Sequence, residues 1–184
     1  MPARPNPAFL LRSLCCACLI FGTSILLMAQ HPVADSLASY AGAWTGTSEV
    51  YFRPGELADS SEIQGTIRVL PDGKHIDFDY TWTFKQTRQA GRLTLTYDAN
   101  LKQWLMSWID TFHNAERILA LQSKRGADAN HATASGMYPA DATVDWGWRI
   151  EVLPKGSDTL SIQHFNIPPG IEGVLGVDWL LTLD

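Results

Sequence analysis

The chain has 184 residues, 19 acidic and 14 basic side chains, a net charge of −5 with neutral histidines, and 46% hydrophobic residues. That length holds one domain with a sizeable core. The acidic balance repels phosphate backbones and anionic lipid heads, so no nucleic acid and no membrane surface is expected as a partner.

Met1 to Ala29 carries Arg4 and Arg12, then an uncharged run from Leu14 to Met28, then Ala29. A basic start, an apolar middle and a small residue at the exit predict a signal peptide over 1–29, cleaved after Ala29. The apolar run of about 15 residues is short of a bilayer span. The mature domain is therefore expected in the periplasm or secreted, with no membrane attachment. Cys15, Cys16 and Cys18 all lie inside this segment, so no disulfide or thiol chemistry is left to the domain. Removal also takes both basic residues, leaving 12 basic against 19 acidic side chains and a charge of about −7.

In the mature chain, Pro32 to Gly42 reads as one short helix. It enters a strand from Ala43 to Phe52, with Trp44, Gly46, Ser48, Val50 and Phe52 on one face. Arg53 to Ser61, RPGELADSS, reads as a loop. Glu62 to Leu70 is a second strand, turned by Pro71, Asp72 and Gly73 into the clearest element of the sequence, His75 to Lys85. There Ile76, Phe78, Tyr80, Trp82 and Phe84 alternate with His75, Asp77, Asp79, Thr81, Thr83 and Lys85, so an aromatic face turns inward and a polar face outward.

After a loop around Gln89 to Gly91, Leu93, Leu95 and Tyr97 alternate with threonines. Gln103 to Thr111 places Trp104, Met106, Trp108 and Asp110 together. Glu116 to Ser123 and His131 to Tyr138 read as strands on either side of the loop KRGADAN. Val144 to Val152 turns Val144, Trp146, Trp148, Ile150 and Val152 inward, and Thr159 to Ile167 does the same with Leu160, Ile162, His164 and Asn166. Val174 to Leu183 ends the chain. About ten strands with turn residues between them predict an all-β, up-and-down antiparallel barrel of about 8–10 strands, since closure removes the exposed edges. A two-sheet sandwich is the alternative.

Gly42, Ala43 and Trp44, a GxW motif opening the first strand, resemble the lipocalin or calycin signature. With AGAWTG, Tyr97–Asp98, SWIDT at 107–111 and WRIEV at 148–152, the chain resembles the bacterial domain family of unknown function 1579 (DUF1579), from about Ser36 to Asp184. The resemblance implies a lipocalin-like barrel at 36–184 with Trp44 plugging its floor behind a helical lead-in. In such barrels an arginine or lysine late in the chain often stacks on that tryptophan. The last strand here, GVDWLLTLD, has neither. The resemblance implies a fold and no activity.

No phosphate loop, HExxH, serine elbow or cysteine nucleophile is present. The inward polar and aromatic residues therefore make up the candidate site: Trp44, Ser48, Tyr80, Trp82, Trp108, Asp110, Trp146, Trp148, His164 and Asn166. Tryptophans offer bulk, a ring face and an indole N–H, a lining suited to a small apolar or aromatic molecule. His164 and Asp110 are the weak catalytic candidates, a base and its partner for an isomerase or hydrolase. An inward histidine among apolar groups is also the setting of a haem ligand. Equally, the tryptophans simply fill the barrel. His75, Asp77 and Asp79 share an outward face and read as solvated rather than as a metal site. A monomer or weak homodimer is expected.

Overall fold

The computed structural model describes residues 37–114 and 116–184. The predicted signal peptide and the start of the helical lead-in lie outside the described residues. Leu37 to Ala41 form a hydrogen-bonded turn, with Tyr40 N–H donating to the Leu37 carbonyl and Ala41 N–H to that of Ala38.

Ten strands follow: β1 (Gly42–Arg53), β2 (Glu56–Val69), β3 (His75–Phe84), β4 (Thr87–Asp98), β5 (Gln103–Asp110), β6 (Leu119–Gln122), β7 (Ala132–Pro139), β8 (Asp145–Pro154), β9 (Thr159–Ile167) and β10 (Val174–Leu183). Each pairs antiparallel with the next, and β10 returns to β1 from Trp44↔Leu183 to Val50↔Val177, closing the barrel. The sandwich alternative is thereby set aside. Closure leaves neither β1 nor β10 as a free edge.

Two expected loops are strand instead. The RPGELADSS segment is a hairpin turned by Pro54 and Gly55 alone, Gly55 having φ +72°, and β2 begins at Glu56. The segment around Gln89 to Gly91 lies inside β4, whose turn from β3 is the pair Lys85 and Gln86, both at positive φ. In the opposite direction, the strand expected from Glu116 shrinks to the four residues of β6.

The alternation of β3 works as read: Ile76, Phe78, Tyr80 and Trp82 are all buried, as are Trp44, Trp104, Trp108, Trp148 and Trp179 from other strands. Enclosing each large apolar side chain contributes roughly 2–3 kcal/mol, which lets a domain without disulfides hold together. On the outer face, Asp79 pairs with Arg68 and Arg92, and Asp77 accepts a 2.6 Å hydrogen bond from Thr94. These aspartates are thus neutralised by neighbouring strands rather than simply solvated.

The floor is closed by Trp44, fully buried, whose indole N–H donates to the Tyr40 carbonyl at 2.8 Å and whose ring stacks on Tyr40 at 5.7 Å. Tyr40 in turn donates its hydroxyl to the Gly156 carbonyl. A tyrosine from the entering turn thus covers the plug where lipocalin-like barrels often use a late cation. Above the floor lies a void of about 20 Å³ among Leu37, Tyr40, Ile67 and Phe78, room for a single water.

Candidate functional site

The upper half of the barrel is packed with rings. Tyr80 meets Trp179 at 4.6 Å, Trp179 meets His164 at 4.6 Å, His164 meets Trp108 at 4.7 Å, and Trp108 stacks on Trp148 at 5.1 Å and 18°. The interior is filled rather than hollow at this level.

Asp110 is the last residue of β5 and keeps the inward face of Trp104, Met106 and Trp108, so its carboxylate enters the core with no solvent exposure. An aspartate at a strand end favours a turn in which its side chain accepts the next backbone donors. Here Oδ1 accepts the N–H of Phe112 and of His113, both at 2.9 Å. Asn114 N–H also returns to the Asp110 carbonyl at 3.0 Å.

That turn brings His113 back over the barrel, its ring parallel to Trp82 at 5.6 Å and 18° and its Nδ1 2.9 Å from Asp110 Oδ1. On the other carboxylate oxygen, Tyr80 donates its hydroxyl at 2.9 Å and Trp82 its indole N–H at 3.1 Å. Trp108 donates its own N–H to the Tyr80 oxygen at 2.7 Å. Five donors thus converge on one buried carboxylate.

Burial alone would raise the Asp110 carboxyl, but the hydrogen bonds and charge of His113, with the Tyr80 hydroxyl, outweigh it and hold the group below 3.8. Burial and then the Asp110 charge push the Tyr80 phenol well above 10. An ionised carboxylate only accepts, so Nδ1 of His113 carries a proton, and whenever the ring is neutral its lone pair is on Nε2.

His164, the histidine expected from the sequence, is placed differently. It is fully buried, and its Nδ1 accepts the Trp148 indole N–H at 3.3 Å, which puts the ring proton on Nε2. That nitrogen has no partner. Burial, reinforced by the neighbouring His113 and opposed by Asp110, drives its pKa down to about 3. Tryptophan rings surround it, so the residues present do not fit an axial ligand for haem, which needs an open ring nitrogen facing a flat void.

The open space lies higher. β6 starts only at Leu119, and Phe112, His113, Asn114, Arg117 and Ile118 from the connection ahead of it lie at this end of the barrel beside the end of β7. A cavity of about 400 Å³ opens there at the mouth. Its lining includes Trp108, Trp148, Phe112, His113, Tyr138 and Asn166. On its margin Ile118 and Met137 expose 68% and 63% of their surface, an uncovered apolar rim, and Arg117 reaches the Pro139 carbonyl at 3.4 Å. Among the described residues no carboxylate lines it.

Of the ten expected site residues, Trp108, Trp148 and Asn166 line this cavity. Asn166 accepts the Tyr138 hydroxyl at 2.7 Å. Tyr80, Trp82 and Asp110 form the hydrogen-bonded layer beneath it. Ser48 sits in the core, accepting the Trp179 indole N–H at 3.0 Å, and Trp44 is at the opposite end. Trp146 is half-buried beside Tyr138 in the β7–β8 ladder and is not part of this lining. Sequence reasoning missed His113, Phe112 and Tyr138.

A closed ten-stranded antiparallel barrel with a sealed floor, a filled centre and an aromatic cavity at its mouth defines a lipocalin-like protein. Residues 30–173 match the family described as "Protein of unknown function (DUF1579)", and the chain belongs to that family. No curated protein matches the sequence.

Proposed function

We propose that this is an exported binding barrel whose mouth cavity takes one small, flat, apolar or aromatic molecule. The observation that carries the reading is the cavity of about 400 Å³ floored by the stacked indoles of Trp108 and Trp148. Pockets of this size with aromatic walls and a few polar groups suit drug-sized molecules. The exposed Ile118 and Met137 on its rim are apolar surface that a ligand would cover. Export rests on the basic, then uncharged, segment 1–29. A monomer or weak homodimer suffices, since one chain supplies the whole site.

N-phenyl-1-naphthylamine, neutral, flat and fluorescent in apolar surroundings, is the probe. Titration should give one site per chain with a Kd at or below roughly 100 µM, as expected for a ligand of its size. Trp148→Leu should weaken it by roughly three- to tenfold, the worth of an aromatic contact. No saturable signal from folded protein would refute the reading.

A further inference from the structure

We propose that His113, oriented by Asp110, is a catalytic base at this cavity, acting on flat conjugated molecules that carry an acidic C–H. The inference rests on the binding reading above and adds chemistry to it. It replaces the pairing of Asp110 with His164 by the pairing of Asp110 with His113.

The geometry meets the requirements of a base in order. The nitrogen that would accept a proton must have a lone pair. Nδ1 is committed to Asp110 Oδ1 at 2.9 Å, which leaves Nε2 as the basic nitrogen. The ring must be held still, and Trp82 stacks beneath it at 5.6 Å while Phe112 meets it edge-on at 4.8 Å. It must also reach a ligand, and His113 lines the cavity, whereas His164 does not. Its partner must remain ionised while the ring becomes positive, and the five donors around Asp110 serve that need. A packed core does not require this arrangement, because an apolar pair would fill the same volume without burying a charge.

In the step, the Nε2 lone pair takes the proton from carbon and the C–H electron pair enters the conjugated system of the substrate. The imidazolium is stabilised by the Asp110 carboxylate, which itself stays unprotonated. The proton then returns to another atom of the substrate, giving an isomer, or passes to water when a group has left. No oxidant, metal or second substrate is needed. Asp110 does not touch the substrate and is a positioning residue.

The charged and titratable groups around His113 are Asp110 and Arg117 on its own connection, with Glu116 exposed beside Arg117, Tyr80 from β3, Tyr138 from β7 and His164 from β9. Tyr80 is held in its neutral form, and burial raises Tyr138 as well. His164 stays neutral down to about pH 3. Loss of activity on acidification therefore reports the Asp110–His113 pair.

The test is 5-nitrobenzisoxazole, a flat carbon acid whose deprotonation breaks its N–O bond and releases a coloured nitrophenolate. The protein should convert it at least about tenfold faster than free imidazole at equal concentration. His113→Gln should lower the rate by roughly 10², while His131→Gln, an exposed histidine away from the cavity, should leave it unchanged. Asp110→Asn should shift the acid limb of the pH–rate profile as well as lower the rate. If His113→Gln does not fold, the wild-type protein still decides: N-phenyl-1-naphthylamine should inhibit the reaction in proportion to its occupancy. A rate no faster than imidazole, with the probe still bound, overturns the base. Loss of probe binding instead overturns the cavity reading beneath it.

Discussion

Asp110 and His113 are joined twice within a single turn. One carboxylate oxygen accepts the histidine's backbone N–H, the Phe112 N–H between them and the ring Nδ1–H, each at 2.9 Å. The turn that ends β5 and the dyad that faces the cavity are therefore one structure. Removing the carboxylate must disturb both.

Asp110→Ala leaves the Tyr80 hydroxyl, two indole-layer and ring donors and two backbone N–H groups without their acceptor in a dry layer. Each unsatisfied buried donor costs about 1–3 kcal/mol, partly relieved by relaxation. The expected loss is at least about 3 kcal/mol, read as a lower urea midpoint at unchanged m. A change below 1 kcal/mol would show that water replaces the carboxylate without penalty.

Acid should destabilise the protein through His164 first. With a folded pKa near 3 against an ordinary 6.5, set chiefly by burial, the unfolded chain binds a proton between those values that the folded chain refuses. Stability is therefore greatest above pH 6.5 and falls as pH drops through this window, by up to about 1.4 kcal/mol per unit. Asp110, raised by burial but lowered more by its donors, adds a loss in the same direction below 3.8. His164→Leu should flatten the slope of unfolding free energy between pH 4 and 6.5. An equal slope in that variant would assign the effect to another group.

The β3–β4 turn offers a gain. Lys85 and Gln86 hold φ values of +45° and +67°, the conformation of a two-residue hairpin turn that asparagine and glycine adopt with less strain. The Asp59 carboxylate accepts the residue 85 backbone N–H at 2.8 Å, a bond that survives substitution. Lys85→Asn with Gln86→Gly should raise stability by about 1 kcal/mol, measured as a higher denaturant midpoint. A drop would mean that the Lys85 contact with the Phe84 ring, 5.3 Å to its centroid, outweighs backbone strain.

The strands were legible because alternation survives in them. From His75 to Phe84 every second side chain is apolar or aromatic, from Leu160 to His164 the alternation runs through Leu160, Ile162 and His164, and both elements stand where that pattern puts them. The turn at Lys85–Gln86 was not legible, since neither residue is a usual turn former. The β1–β2 turn was overdrawn for the opposite reason, because Pro54 and Gly55 sit in a polar run that reads as loop throughout. Trp179 shares the inward face of β10 with Val177 and Leu181, but the outward Leu180 beside it makes an apolar run that hides the alternation.

The candidate site was half visible. Strand parity placed Trp108, Asp110 and Trp148 inward, and it gave His164 a correct face but no access to open space. His113 lies on a turn, where parity says nothing. Its signal was a strand-ending aspartate three residues before a histidine, the spacing at which one carboxylate accepts both a backbone and a ring donor.

The most direct measurement is native mass spectrometry of the protein, as isolated from a bacterial host and after addition of N-phenyl-1-naphthylamine, each set against the denatured mass. The account predicts one adduct per chain, either the probe itself or a retained small molecule that the probe displaces. The bare mass alone in both spectra, from protein shown to be folded, would contradict a ligand site at the barrel mouth.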